Sequence, residues 1–313
     1  MELKPYNHFC FVENSDLKTV IVANTDISPD TGKCTIFKSV APQFSKTLKS
    51  EALGETDSTP LWFSSINGYM NHYCMLHQKQ GSQFLSIGSI DTMELNDSVS
   101  FNEKLFRRVY ANDEKDKVAL IGKDRLCCFN LTKGKPICSK EVKDVSCGVY
   151  KDNVFHLFKK NSLVLVDTRE EHLQENIIYE GLDCPIVNDA VIDLSNPNSV
   201  IFVGCDGDIG SIDTSVNAMH KLHKSTFGHR INSVGLSIDY DHFHQRHLIA
   251  YREIERVDPN DDSSCSCLSI FHTRAHHTYI KAEVRRAHFC PDNIPMFAYY
   301  IRGQTLQLDI LKS

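Results

Sequence analysis

Apolar and polar or small positions alternate in seven short runs spread along this chain, at residues 34–37, 84–87, 126–129, 163–166, 209–212, 268–271 and 306–310. Leu306-Gln307-Leu308-Asp309-Ile310 shows the alternation, Leu163-Val164-Leu165-Val166 is apolar throughout, and a polar or glycine-containing turn precedes most of the runs. Side chains two positions apart share one face of an extended chain, so the pattern predicts strands that bury at least one face. No stretch carries the 3.6-residue period of an amphipathic helix. The chain reads as all-β, built from a unit that recurs.

The runs end at Phe37, Ile87, Phe129, Val166, Ile212, Phe271 and Ile310, about 37 to 59 residues apart. A four-stranded propeller blade takes ~40–45 residues, so 313 residues hold about seven such units. The stretch around residue 200 shows the other strands of one unit. Residues 190–194 form a strand, Asn196-Pro197-Asn198 a turn, and 200–203 a second strand. Asp206-Gly207 is a hairpin turn of the kind that favours positive φ. Residues 209–212 are the third strand and 218–222 the outer fourth. The last unit repeats this order with strands at 286–289, 296–300 and 305–311. The expected architecture is a single seven-bladed β-propeller over residues 1–313, closed by pairing of its N- and C-terminal segments. The stretch Phe9-Cys10-Phe11-Val12, or the one just before it, would supply the missing strand of the last blade. Closure hides sheet edges that would otherwise template aggregation. Two long intervals predict irregular segments: a surface loop at 43–59, rich in Ser, Thr, Lys and Glu, and an insertion at 252–266.

The segment Phe227-Gly228-His229-Arg230-Ile231-Asn232-Ser233-Val234 resembles the Gly-His opening of a WD repeat and its first strand. Trp62 is the only Trp, and Phe63 follows it where such a repeat has Asp. Val166-Asp167 and Ile212-Asp213 stand where Trp-Asp would. The chain thus resembles a degenerate WD-repeat β-propeller that lacks the Asp-His-Ser/Thr-Trp hydrogen-bond tetrad of a consensus blade. Within that family it is similar to the small single-propeller nucleoporins of the Y-shaped outer-ring complex of the nuclear pore. The similarity rests on the turn-Pro-apolar pattern of 290–308 and the strand spacing of 145–214. It implies a non-enzymatic scaffold subunit at the nuclear envelope, with an α-solenoid nucleoporin as partner. Two alternatives stay open: a substrate receptor of a cullin-type ubiquitin ligase, or a non-catalytic WD-repeat subunit supporting an RNA-processing or tRNA-modifying enzyme.

Composition narrows the partners. The net charge is −6 and no long basic run appears, which argues against electrostatic binding of nucleic acid or anionic membrane. Met1-Glu2-Leu3-Lys4-Pro5-Tyr6 lacks a signal peptide's apolar stretch, and no run nears the roughly 18 apolar residues of a membrane span. A nuclear or cytoplasmic protein without membrane insertion is expected. Twelve cysteines in such a reducing compartment read as small buried apolar residues.

Candidate chemistry is sparse. His242, His244 and His247 cluster, as do His272, His276 and His277, with Cys265-Ser266-Cys267 between them. A single residue between the two cysteines does not match zinc spacing, and no second Cys pair supports them. The acidic stretch Asp258-Pro259-Asn260-Asp261-Asp262 has Ser263 where a calcium loop needs Gly and Ser269 where it needs Glu. The segment 204–210 is glycine-rich but lacks the Lys-Ser/Thr of a phosphate loop. No nucleophile elbow is present. No catalytic, metal or cofactor residues are assigned. Phe106-Arg107-Arg108 resembles the Phe-Arg-Arg-Gly signature of phosphoinositide-binding propellers, but Val109 replaces the Gly. Val166-Asp167-Thr168-Arg169 resembles a Trp-Asp-x-Arg docking motif for ubiquitin-ligase adaptors, with Val in place of Trp. Aromatic and Arg side chains are the usual interface anchors, and Trp62, Tyr69, Tyr73, Arg107, Arg169, Tyr251 and Tyr279 are the candidates for partner binding.

Overall fold

Each apolar run takes the same place in a repeating sheet. A computed structural model describes residues 9–223, apart from 13–18, 25–27, 29, 42–48, 67–68, 93–95, 102–105, 113, 171, 185, 194–195 and 206–207, and beyond residue 223 it describes the backbone of seven strands. The first sheet is β1 (Phe9–Val12), β2 (Thr19–Asn24), β3 (Cys34–Ala41) and β4 (Lys49–Thr56). The second is β5 (Thr59–Ser65), β6 (His72–Lys79), β7 (Ser82–Ser89) and β8 (Asn96–Phe101). The third is β9 (Phe106–Ala111), β10 (Lys117–Gly122), β11 (Arg125–Asn130) and β12 (Lys135–Glu141). The fourth is β13 (Val145–Lys151), β14 (Val154–Lys159), β15 (Ser162–Asp167) and β16 (Asn176–Glu180). The fifth is β17 (Val187–Ile192), β18 (Ser199–Gly204), β19 (Ile209–Asp213) and β20 (Ala218–His223). The sixth is β21 (Ile231–Asp241), β22 (Arg246–Glu255), β23 (Ser264–His272) and β24 (Ala275–Lys281). The last has three strands among the described residues: β25 (Val284–Phe289), β26 (Met296–Ile301) and β27 (Gln307–Ile310). Strand order follows chain order in every sheet. All seven runs fall on third strands: β3, β7, β11, β15, β19, β23 and β27. This is an all-β fold of successive antiparallel sheets, in an arrangement of the propeller type.

Burial explains why the third strands were the visible ones. In the first five sheets, second and third strands have a neighbour on each side and are buried on both faces, as in β18, where Ser199 to Gly204 are all buried, and β11, where Leu126 to Phe129 are. Outer strands have one neighbour. In β12 no residue is fully buried, and the same holds for β16. The apolar signal is therefore strong in mid-sheet and fades at the edge.

The chain forms two compact units. One is built on Met1–Lys143 with Tyr150–Asn153, the other on Asp144–Val149 and Val154–Phe289 with Asn293–Ser313. In the first unit, first strands adjoin: β1 packs on β5, and β5 on β9. The sheets bury their faces against one another. Val20, Val22 and Ile36 of the first sheet meet Phe63, Tyr73 and Met75 of the second. Cys74, Leu76 and Leu85 of the second meet Val109, Leu120 and Phe129 of the third. The second unit repeats the rule, with β17 against β21 and β21 against β25, and with Phe158 and Phe202 in ring contact at 5.2 Å.

Polar side chains then clamp one sheet to the backbone of the next. The Gln83 amide, 2% exposed, donates to the Phe106 carbonyl at 2.7 Å and accepts from the Phe106 N–H at 2.8 Å. Asp189 accepts from the Ile238 N–H at 2.9 Å. Lys38 donates to the Ile90 carbonyl at 2.8 Å. Each clamp satisfies groups that the flat stacking of two sheets leaves unpaired.

Three expectations change. Residues 43–59 are not one loop: β4 occupies Lys49–Thr56 and β5 begins at Thr59. β4 is mostly polar, with only Leu53 buried, and a polar outer strand cannot be separated from a loop by composition alone. The segment 252–266 is likewise entered by β22, which runs to Glu255, and left by β23 from Ser264; residues 256–263 lie outside the described residues. Phe9–Val12 is not a strand of the last sheet. It pairs with β2 in the first, Phe9 opposite Ala23, because its apolar residues fill the first core. The stretch before it, the turn at Asp206-Gly207 and the Gly228-His229 motif lie outside the described residues.

Two substitutions probe this construction. Gln83→Leu removes both clamp bonds and strands two buried backbone groups, so it is expected to lower the unfolding free energy by about 2–4 kcal/mol. Urea denaturation should show an earlier midpoint at unchanged slope. Gly210 lies where a Cβ would sit 2.4 Å from Phe202 Cζ. Gly210→Ala should therefore cost about 1–3 kcal/mol, with part of the loss recovered in Gly210→Ala/Phe202→Leu. A neutral Gly210→Ala would show that the Phe202 ring is not held in place.

Candidate interaction surface

The junction of the second and third sheets carries the densest aromatic and cationic grouping among the described residues. β5 has an irregular register between Pro60 and Trp62. Beyond it, Phe63 enters the core shared with the first sheet and Trp62 packs against the core shared with the third. Neighbouring residues of a strand point oppositely, so one strand serves both junctions. Trp62 remains half-buried. The Arg108 guanidinium lies over its indole, 5.1 Å from the ring centroid. Arg108 Nη1 also donates to the Tyr110 hydroxyl at 3.3 Å, and the Tyr110 ring stands 6.3 Å from that of Trp62. Arg108 and Tyr110 are two apart on β9 and share its face. A cation over an indole contributes about 0.5–1 kcal/mol where water has access.

A second group lies in the turn between β5 and β6. Asn71 adopts φ 64°, and the turn is pinned by the Ile90 N–H donating to the Asn71 carbonyl at 2.8 Å. Tyr69 packs on the same core as Trp62. The His72 ring meets Tyr69 edge-on at 5.8 Å, and Lys115 Nζ sits 5.6 Å from the Tyr69 ring centroid. Met70, at the tip, is 59% exposed. The two groups present aromatic faces and cations side by side, the chemistry from which interface anchors are drawn.

The sequence candidates divide. Trp62 and Tyr69 belong to this surface. Arg107 is exposed on β9, at an irregularity where Arg108 and Phe106, but not Arg107, face β10 residues; the guanidinium over Trp62 is that of Arg108. Tyr73 is a correction: it is 3% exposed and packs against Phe63 at 5.8 Å, so it is a core residue that no partner reaches. Burial pushes its phenol above the ordinary range. Arg169 is exposed, and its guanidinium grips the Asp167 carboxylate, Nη2 to Oδ2 at 2.6 Å and Nε to Oδ1 at 2.9 Å. That hydrogen bonding holds the Asp167 carboxyl below its usual range. Tyr251 and Tyr279 lie on β22 and β24, with side chains outside the described residues. The same is true of His247, His272, His276, His277, Cys265 and Cys267, while His242 and His244 are outside them altogether. Among the described residues no group of three His, Cys, Asp or Glu could hold a metal ion, and no helix is long and apolar enough to cross a membrane. Sequence reading missed Arg108, Tyr110, His72 and Lys115. The period-two spacing of Arg108 and Tyr110 was the one available signal, and a local irregularity at Arg107 masked which Arg it selects.

No protein-family model matches this chain, and no curated protein does. Solved structures do. A chain in the crystal structure of a mitotic checkpoint complex matches with a TM-score of 0.64 at 11% identity, covering 96% of this chain and 86% of that one. Sqt1 from Chaetomium thermophilum matches with a TM-score of 0.58 at 12% identity, covering 87% of this chain and 70% of that one. At such identities the likeness is one of fold: a β-rich chain distantly resembling WD40 propeller-type proteins.

Trp62, as the only Trp, reports on this surface directly. Arg108→Ala should uncover the indole, shifting its emission to longer wavelength and raising acrylamide quenching by about twofold, with a stability loss near 1 kcal/mol or below. Arg107→Ala should leave the emission unchanged. Equal spectra for the two variants would remove Arg108 from the Trp62 environment.

Proposed function

We propose that this chain is a closed, seven-bladed β-propeller that acts as a non-enzymatic interaction subunit of a larger protein assembly, the outer ring of the nuclear pore. The observation that carries the reading is the identical place of all seven apolar runs, each on the third strand of its own sheet. A chain that spends its length on one repeated packing unit offers a rigid surface and many loops. Its partner in this reading is an α-solenoid nucleoporin, and its site of action the nuclear envelope. The surface around Trp62, Arg108, Tyr110 and Tyr69 is the docking face. One of the similar chains lies in a mitotic checkpoint complex, in keeping with a propeller serving inside an assembly. The grip of Asp167 on Arg169 accounts for that Arg within its own turn, which favours the pore reading over the ligase receptor.

Affinity purification with mass spectrometry tests this. The tagged chain should recover outer-ring nucleoporins, and Trp62→Ala/Arg108→Ala should cut that recovery about tenfold, the effect of ~1.4 kcal/mol at an interface. Arg169→Glu should leave it intact. Recovery without any nuclear-pore component sinks the assignment. A ligase adaptor lost specifically in Arg169→Glu would establish the receptor reading in its place.

A further inference from the structure

The outer pair of strands in the third sheet sets two thiols face to face. In the β11–β12 register Cys128 stands directly opposite Cys138. Opposed residues of an antiparallel pair have Cα atoms about 4.5 or 5.5 Å apart, inside the roughly 4.4–6.8 Å that a disulfide spans. Opposed residues also project from the same face, so both sulfurs lie on one side of the sheet. The neighbouring Cys127 points the other way, into the core with Leu120 and Phe129. Alternation thus singles out one pair from three nearby cysteines.

The two thiols are chemically unequal. Cys128 is 3% exposed, whereas Cys138 lies half-buried on the edge strand β12, among exposed neighbours. Both are free thiols. The Cys128 thiol donates to the Tyr150 hydroxyl at 3.8 Å. Tyr150 Oη is held in turn by Asn112 at 2.8 Å and Asn153 at 3.2 Å. The neighbouring Cys128 thiol holds Cys138 below its ordinary range, while Cys138 and burial together push Cys128 up. The other titratable groups nearby are Cys127 on β11 and Lys140, two residues further along the same face of β12. A solvent-reachable thiolate beside a protonated partner is the arrangement of an attacking and a resolving cysteine.

We propose that Cys128 and Cys138 are a redox-responsive dithiol that closes to a cross-strand disulfide when the protein meets a hydroperoxide. The Cys138 thiolate attacks the terminal peroxide oxygen, breaking the O–O bond and releasing hydroxide (or alkoxide) as Cys138 becomes a sulfenic acid. The Cys128 sulfur then displaces the sulfenic hydroxyl, forming the S–S bond. Its proton leaves with that hydroxyl as water. Two thiols are oxidised by two electrons and one peroxide is reduced. The product ties edge strand β12 to β11. An external dithiol such as dithiothreitol reverses it. This inference is independent of the proposed partner.

The purified full-length protein treated with hydrogen peroxide, then alkylated and mapped by mass spectrometry, should contain a Cys128–Cys138 peptide lighter by two hydrogens, about 2 Da, which dithiothreitol removes. Cys128→Ala should instead leave a sulfenic acid on Cys138 that dimedone captures, and Cys138→Ser should abolish the cross-link. The alkylation rate of Cys138 should titrate below the ordinary thiol value of about 8.5, moving upward in Cys128→Ala and less so in Cys128→Ser, which keeps a donor. A cross-link between other cysteines, sulfonic acid at Cys138 with no disulfide in the unmodified chain, or a titration unaffected by Cys128→Ala would each overturn the proposal.

Discussion

A sheet that is apolar on both faces must have a neighbour on each, and that requirement governs this molecule. Second strands such as β10 and β18 carry buried side chains on both sides. Exposing either face would forfeit about 25 cal/mol for every Å² of apolar surface. Stacking satisfies the faces but says nothing about rotation or slippage of one sheet on the next. The clamps supply that. Gln83 grips both polar groups of Phe106, and Asp189 takes the Ile238 N–H. Direct bonds to backbone fix a register that hydrophobic contact alone leaves loose.

The same constraint places the aromatic–cation group and the paired thiols. First strands adjoin in the first unit, so residues on β5 and β9 are brought within ring contact. The Trp62–Arg108–Tyr110 group exists because one sheet supplies the indole and the next the guanidinium. Outer strands face the opposite situation. β12 has a single neighbour and no fully buried residue, so Cys138 is half-buried there while Cys128 on β11 stays sheltered.

Legibility follows burial. The runs at 126–129 and 163–166 were plain because mid-sheet strands are apolar on both faces. β4 reads as loop in the sequence because Lys49–Thr56 is an outer strand that is mostly polar; it pairs with β3 along its length and buries only Leu53 in the core. Among the candidate anchors, residue type alone selects Trp62 and Tyr69, which the structure places on one core. Tyr73 was chosen on the same ground and proved to be core, since an aromatic side chain serves equally well inside and outside. Arg108 was missed because only the local register on β9 separates it from Arg107.

The chain's alternation and period determine by themselves that it is all-β, that its unit is a four-stranded sheet, and where the third strand of each unit lies. Those are local properties, written in which neighbours are apolar and how often the pattern returns. Tertiary structure alone decided which sheet face each aromatic meets, which polar side chain clamps which backbone group, and that Cys128 stands opposite Cys138. Such pairings join residues ten to fifty positions apart through strand register and sheet stacking, and a shift of one residue in register would turn every one of them to the other face.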